Sequence, residues 1–198
     1  MYQLQKSVVI DDIKFNIEND GDFRMVLDCF KALTDETMGE DLRVLASLLI
    51  FYNELDEYAD LFNYPEEVIQ KMITEMYKFF NCGQDKSPGV RTDHSLIDWE
   101  KDEQIVCASI NTVANKEIRE VPYVHWWTFM GYYMGIGESV LATIVSIRDK
   151  IVRHIKLEKW EQDFKRNNPE YFNWKSIPVK DREMENIIRE LWNQGGET

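Results

Sequence analysis

The sequence predicts a mainly α-helical protein: a multi-helix domain around a central aromatic-rich helical hairpin, with a small N-terminal β-hairpin. Three observations carry this. Apolar residues recur at spacings of three and four in several separate segments. Strict alternation occurs only in a short stretch near the start. The densest apolar and aromatic run, PYVHWWTFMGYYMG followed by SVLATIVSIRDKIV, spans Pro122 to Val152 and is broken between Ile136 and Glu138.

In chain order, SVVIDDIKFNI (7–17) reads as the β-hairpin. Val8, Val9 and Ile10 favour strand, Asp11-Asp12 supplies the turn, and Ile13, Phe15 and Ile17 alternate. Asn19-Asp20-Gly21 breaks the chain, and Asp20 or Asp22 can cap a helix carrying Phe23, Val26, Leu27, Phe30 and Leu33 at helical spacing. The helix over 40–53 presents Leu42, Leu45, Leu48, Leu49 and Tyr52, widened by Val44 and Phe51. The acidic stretch 54–64 is a loop or one helical turn. Pro65 then opens a helix with Val68, Ile69, Met72, Ile73, Met76, Phe79 and Phe80 on one face, ending near Cys82-Gly83. Core filling is the commoner explanation of its methionines; an adaptable groove is the other.

Residues 84–94 carry Gly, Pro, Ser and charges without periodicity and read as a linker between residues 1–83 and a C-terminal helical half, 95–168. Ser95 to Asp98 fits a capping box, with Asp98, Glu100, Asp102 and Glu103 crowding the positive end of the helix it starts. Trp99, Val106, Ile110 and Val113 form its stripe. The helix after Pro122 is apolar on nearly all sides and should be surrounded. Ser139 caps the next, whose stripe is Val140, Ile144, Ile147, Ile151 and Ile155, with Arg148, Asp149 and Lys150 facing outward. The spacing carries this helix on through Leu157, Trp160 and Phe164 to a stop before Pro169. Residues 169–198 form an extension with a short last helix over 181–193, and the whole is expected to make one compact domain.

Composition bounds the function. The chain has 198 residues, 44% of them hydrophobic, enough to build a core. A formal net charge of −13 repels phosphate backbones and anionic lipid, so neither nucleic acid nor membrane is an expected partner. The run from Val121 to Ile147 is long enough to test as a membrane span. Glu138 and the glycines divide it into halves too short for a hydrocarbon core of ~30 Å. The start, MYQLQKSVVIDD, has no long apolar run after a basic residue, so no secretion signal is expected. Cys29, Cys82 and Cys107 form no C-x-x-C pair; Cys29 and Cys107 read as core fillers in a reducing compartment.

A convergent catalytic or metal-binding pattern is not legible. His94 with Asp93 and Asp98 is the nearest approach to a metal-ligand set and lies on the linker, His125 and His154 have no ligand partner at fixed spacing, and His125 reads as a buried, hydrogen-bonded histidine. The acids from Asp98 to Glu103 read as a solvated helix start. Gly135-Ile136-Gly137 lacks a preceding strand and a lysine for phosphate. No cofactor, metal or enzymatic activity is expected. Six tryptophans, nine tyrosines and ten phenylalanines remain. Leu157, Trp160, Phe164, Tyr171, Phe172 and Trp174 lie outside the central hairpin. They form either an interaction surface or a second small core.

Asp98-Trp99-Glu100 and Asp102, the element His125-Trp126-Trp127-x-Phe129, the pair Ile147-Arg148 and the upstream Phe79-Phe80-Asn81-Cys82-Gly83 together resemble the "gene product fifteen" family of long-tailed phages and prophages of Gram-positive bacteria. The resemblance covers most of 7–164. Asn111 to Ile118, NTVANKEI, departs from the aromatic-bearing helix end and Tyr-Gly-Ile-Asp-Leu-like link of that family. The resemblance implies a self-associating tail assembly chaperone in the bacterial cytoplasm. It would coat the tape measure protein, help the major tail protein polymerise around it, and leave the finished virion. A retained tail-completion or connector subunit is the alternative.

Overall fold

The computed structural model of the chain describes residues 3–84 and 96–174. Among these residues the protein is mainly helical, with eight α-helices and one two-stranded antiparallel sheet. They fall into two compact units. One takes 3–84 and Tyr123–Thr128, the other 96–122 and 129–174. All of the expected linker except Gln84, and the expected last helix over 181–193, lie outside the described residues.

In the first unit, β1 (Ser7–Ile10) and β2 (Ile13–Asn16) pair in the register Val8↔Phe15, which buries both. Asp11 and Asp12 both take positive φ, the requirement of a tight turn that matches strand twist. Asp22 caps helix α1 (Phe23–Leu33) by accepting from the Arg24 amide at 3.0 Å. The buried face of α1 includes Met25, Cys29 and Ala32 as well as Phe23 and Val26. Burial pushes the Cys29 thiol up to about 12, which suits a core filler.

Helix α2 (Glu40–Phe51) turns Val44, Ser47, Leu48 and Phe51 inward and leaves Leu42 exposed, so the expected leucine face is rotated. The cause is at its end. Phe51 meets Phe79 and Phe80 edge to face, at centroid distances of 5.3 and 5.6 Å, while Tyr52 leaves the helix extended and donates its hydroxyl to the Met72 carbonyl at 2.8 Å. A single turn, α3 (Tyr58–Leu61), leads to α4 (Glu66–Phe80), which buries all seven apolar residues expected of it. Helix α4 stops without a glycine at the left-handed position. Cys82 takes φ 56° there, Cys82 N–H donates to the Phe79 carbonyl and Gly83 N–H to that of Lys78.

In the second unit, helix α5 (Glu103–Ala114) begins later than Ser95–Asp98 implied. The Asp102 carboxylate accepts the Asp98 amide at 2.9 Å and the Asp102 amide returns to the Asp98 carbonyl at 2.8 Å, which closes a turn where a helix was expected. The divergent stretch after α5 organises itself: Asn115 is left-handed, and the Asn111 side chain reaches both Glu117 and the Ile118 amide. Helix α6 (Trp126–Met134) starts in the first unit and places its later residues in this one. It is not surrounded. Phe129 is buried on the side that meets Trp99, whereas Met134 is 79% exposed.

Helix α7 (Val140–Val152) is capped by Ser139, buries Leu141, Ile144, Ile147 and Arg148, and leaves Val140 exposed. It does not continue to Phe164. His154 takes φ 55°, with His154 N–H on the Ile151 carbonyl and Ile155 N–H on that of Lys150, so the chain reverses. A Glu158–Glu161 capping box then starts α8 (Lys159–Asn167), and a 3₁₀ turn follows over Pro169–Phe172.

Gly21 takes φ 79°, and a Cβ there would come within 2.7 Å of Phe79 Cζ and 3.1 Å of His125 Nε2. Gly21→Ala should therefore destabilise the fold by more than about 1 kcal/mol, read as a lowered urea midpoint.

Candidate functional site

The sequence elements singled out above meet their partners within each unit. In the first, the His-Trp-Trp element closes on the end of α4. Trp126 Nε1–H donates to the Phe80 carbonyl and Trp127 Nε1–H to the Phe79 carbonyl, both at 2.9 Å. These carbonyls belong to the last turn of α4, where the Phe79 carbonyl also accepts the Cys82 amide and the Phe80 carbonyl relies on the indole. The two indoles therefore act as side-chain caps while their rings fill the core. Trp126 is buried against Phe30 at 5.6 Å, and Trp127 lies tilted on Phe79 at 5.7 Å. Gly83 is held to glycine by the same ring: a Cβ there would stand 3.1 Å from Trp127. Phe79-Phe80-x-Cys-Gly and His-Trp-Trp are thus two sides of one joint.

His125 sits just before α6 and is buried. Its Nδ1 accepts the Trp127 amide at 3.1 Å and its Nε2 contacts the Gln5 carbonyl at 2.9 Å. An amide can only donate and a carbonyl can only accept, so the ring is the neutral tautomer with hydrogen on Nε2. Burial lowers the His125 pKa. The Gln5 carbonyl opposes this, Lys6 lowers it further, and Asp20 and Asp22 raise it. Asp22 ties the same strand to α1: its second oxygen accepts the Val124 amide at 2.8 Å, and the Phe23 amide donates to the Val124 carbonyl at 2.9 Å.

In the second unit Arg148 is 1% exposed, not outward-facing. It lies four residues after Ile144 and seven after Leu141, on the stripe that α7 buries. Its guanidinium forks onto both oxygens of Asp102, which is likewise buried and no part of a solvated helix start. Nη1 also donates to the Leu96 carbonyl at 2.8 Å, and Nε and Nη2 donate to the Tyr171 carbonyl. The Trp174 ring lies over the cation, 4.8 Å from its centroid. One side chain thus ties together the segment entering at Leu96, the start of α5, helix α7 and the turn after α8. Asp98 forms the turn that places Asp102 and accepts the Lys101 amide. Trp99 packs between Phe129 and Tyr133 at 6.3 and 5.7 Å.

The expected interaction surface divides. Trp160 is 54% exposed. Leu157 and Phe164 are half-buried, with Phe164 edge-on to Phe172, and Tyr171 and Trp174 are engaged by Arg148. A second surface was not legible in the sequence: a groove of about 400 Å³ lined by α5, the α6–α7 turn and Tyr171. Its α5 wall is the stripe Ile105, Ala108, Ser109, Thr112 and Val113. The Ser109 and Thr112 hydroxyls donate to the Ile105 and Ala108 carbonyls of their own helix, so the wall offers carbon to a partner. Val113 and Val140 on its lining are exposed, and Glu138 is its one charged residue. Among the described residues no three His, Cys, Asp or Glu side chains are placed to hold a metal ion, and no helix is long and apolar enough to cross a membrane.

Two outcomes test these joints. Arg148→Met should cost about 3–5 kcal/mol, because Asp102 is left buried and unpaired. Adding Asp102→Leu should recover part of that loss in a double-mutant cycle of denaturation midpoints. The lowered pKa of His125 gives a sign for acid sensitivity. The unfolded histidine binds a proton more readily, so this contribution is whole above the ordinary value of 6.5 and is lost as pH falls through the depressed folded value. The carboxylates held low, Glu161, Asp60 and Glu117, lose theirs only below 4.5. Denaturation midpoints should therefore fall between pH 7 and pH ~5, and His125→Gln should flatten that slope.

The chain matches the family described as "Bacteriophage Gp15 protein" over residues 2–172, which takes in every motif of both joints. No curated protein and no solved structure matches it. The protein belongs to the bacteriophage Gp15 family.

Proposed function

We infer that this protein is a tail assembly chaperone: it self-associates in the bacterial cytoplasm, binds the tape measure protein, assists tail-tube assembly and is not retained in the virion. Family membership over nearly the whole described chain is the observation that carries the reading. The groove on α5 and α7 supports it. A long helical client offers repeated small apolar faces, and a shallow carbon-lined wall whose hydroxyls are already bonded takes such faces without demanding a specific polar partner. Many weak contacts of this kind hold a long client in solution and release it when the tail tube competes. The chain's net charge of −13 keeps client-bearing complexes apart. No enzymatic step is assigned to it.

Co-expression with the tape measure protein should yield a complex by affinity capture. Val113→Asp with Val140→Asp places charge in the groove at two exposed positions and should reduce capture about tenfold or more while helical content is unchanged. Failure of the folded wild-type chain to bind the tape measure protein would overturn the reading. Finding the chain in purified mature particles would assign it instead to a tail-completion or connector role.

A further inference from the structure

We propose that the chain self-associates with the basic corner between α7 and α8 of one copy seated on the carboxylate-rich stretch 54–67 of a second copy. This deepens the self-association named above by assigning its two surfaces, and it stands whether or not the client is the tape measure protein.

The corner is a basic island on an acidic protein. Arg153, His154, Ile155, Lys156, Lys159 and Trp160 are all exposed there. Among the described residues Lys156 and Lys159 have no ion-pair partner, and Arg153 meets only Asp149 of its own helix at 3.3 Å. Trp160 stands in the middle with 54% of its surface exposed; its indole N–H is held by Glu158 at 2.9 Å, which fixes the ring outward. The left-handed residue His154 creates this corner, since it separates α7 from α8 and turns the basic segment out.

Stretch 54–67 has the opposite chemistry. It holds six carboxylates and no lysine or arginine. None of the six is ion-paired among the described residues: Glu54 accepts from Asn16, and Asp60 from the amides of Asp56 and Glu57, so their charge stays uncompensated. Asp56, Glu57 and Glu67 are exposed, as are Tyr58 and, at 66%, Phe62.

Each surface therefore sets an exposed aromatic among charges, with unpaired lysines at the corner and unpaired carboxylates at 54–67, the arrangement of an interface core inside a polar rim. The signs decide how copies can meet. Corner on corner would set lysine against lysine, and stretch on stretch carboxylate against carboxylate; only corner on stretch joins opposite signs.

Sedimentation velocity of the full-length chain, with no client present, tests this. Assemblies larger than a monomer are expected at about 50 mM salt and should dissociate at about 0.5 M, where screening shortens the reach of the charges. Lys156→Glu with Lys159→Glu should give a monomer at low salt, and so should Asp56→Lys with Glu57→Lys. Mixing these two variants should restore assembly, because each altered surface then meets its complement on the other. All four side chains are exposed, and circular dichroism checks that the variants fold. A wild-type monomer at low salt overturns the proposal, as do assemblies that neither variant disturbs or a mixture that fails to reassemble. So does a wild-type monomer that captures heparin through Lys156 and Lys159, which would assign the corner to a polyanion. Client capture is scored separately, so either reading can fail alone.

Discussion

The second unit depends on one buried cation. Arg148 spends every donor of its guanidinium, on Asp102, the Leu96 carbonyl and the Tyr171 carbonyl, and lies under the Trp174 ring. Taking an arginine out of water is tolerable only when its charge is matched and its N–H groups are all bonded, and both conditions are met here. The pair is a poor source of net stability compared with a well-packed apolar replacement. It is a strong source of specificity, because four separate segments must arrive together before the cation is satisfied. An arrangement missing any one of them leaves a buried donor or a buried carboxylate unpaired.

The first unit solves a different problem with aromatic groups. Helix α4 ends in a buried Phe79-Phe80. Trp126 and Trp127 supply two indole N–H donors and a large apolar ring area at the same place. At Trp126 a phenylalanine could fill the space but would leave the Phe80 carbonyl without its indole donor. His125, held in one tautomer, fixes the start of α6 and so the direction from which the indoles arrive. Trp126 and Trp127 are thus structural residues of this joint.

What remains exposed has a consistent character. The α5–α7 groove offers carbon with its hydroxyls turned inward, the corner at Trp160 offers a basic aromatic surface, and 54–67 offers an acidic one.

Local pattern alone determined much of this molecule. The alternation and the Asp11-Asp12 turn specify the hairpin, and the seven-residue apolar face specifies α4, because each rests on interactions within a few residues. The motif residues Asp98, Trp99, Asp102, His125, Trp126, Trp127, Phe129 and Arg148 could also be picked out in sequence. Their roles could not. That Arg148 faces inward was decided by the arrival of Asp102, distant in the chain, without which an arginine on an apolar stripe belongs in water. Helix α7 stops at Val152 with no glycine or proline to mark the place, because its final carbonyls are satisfied by a left-handed histidine. The rotation of α2 came from the demand of Phe79 and Phe80 for Phe51. In each case the deciding free energy lies in a contact between residues far apart in the chain, and local periodicity carries no record of it.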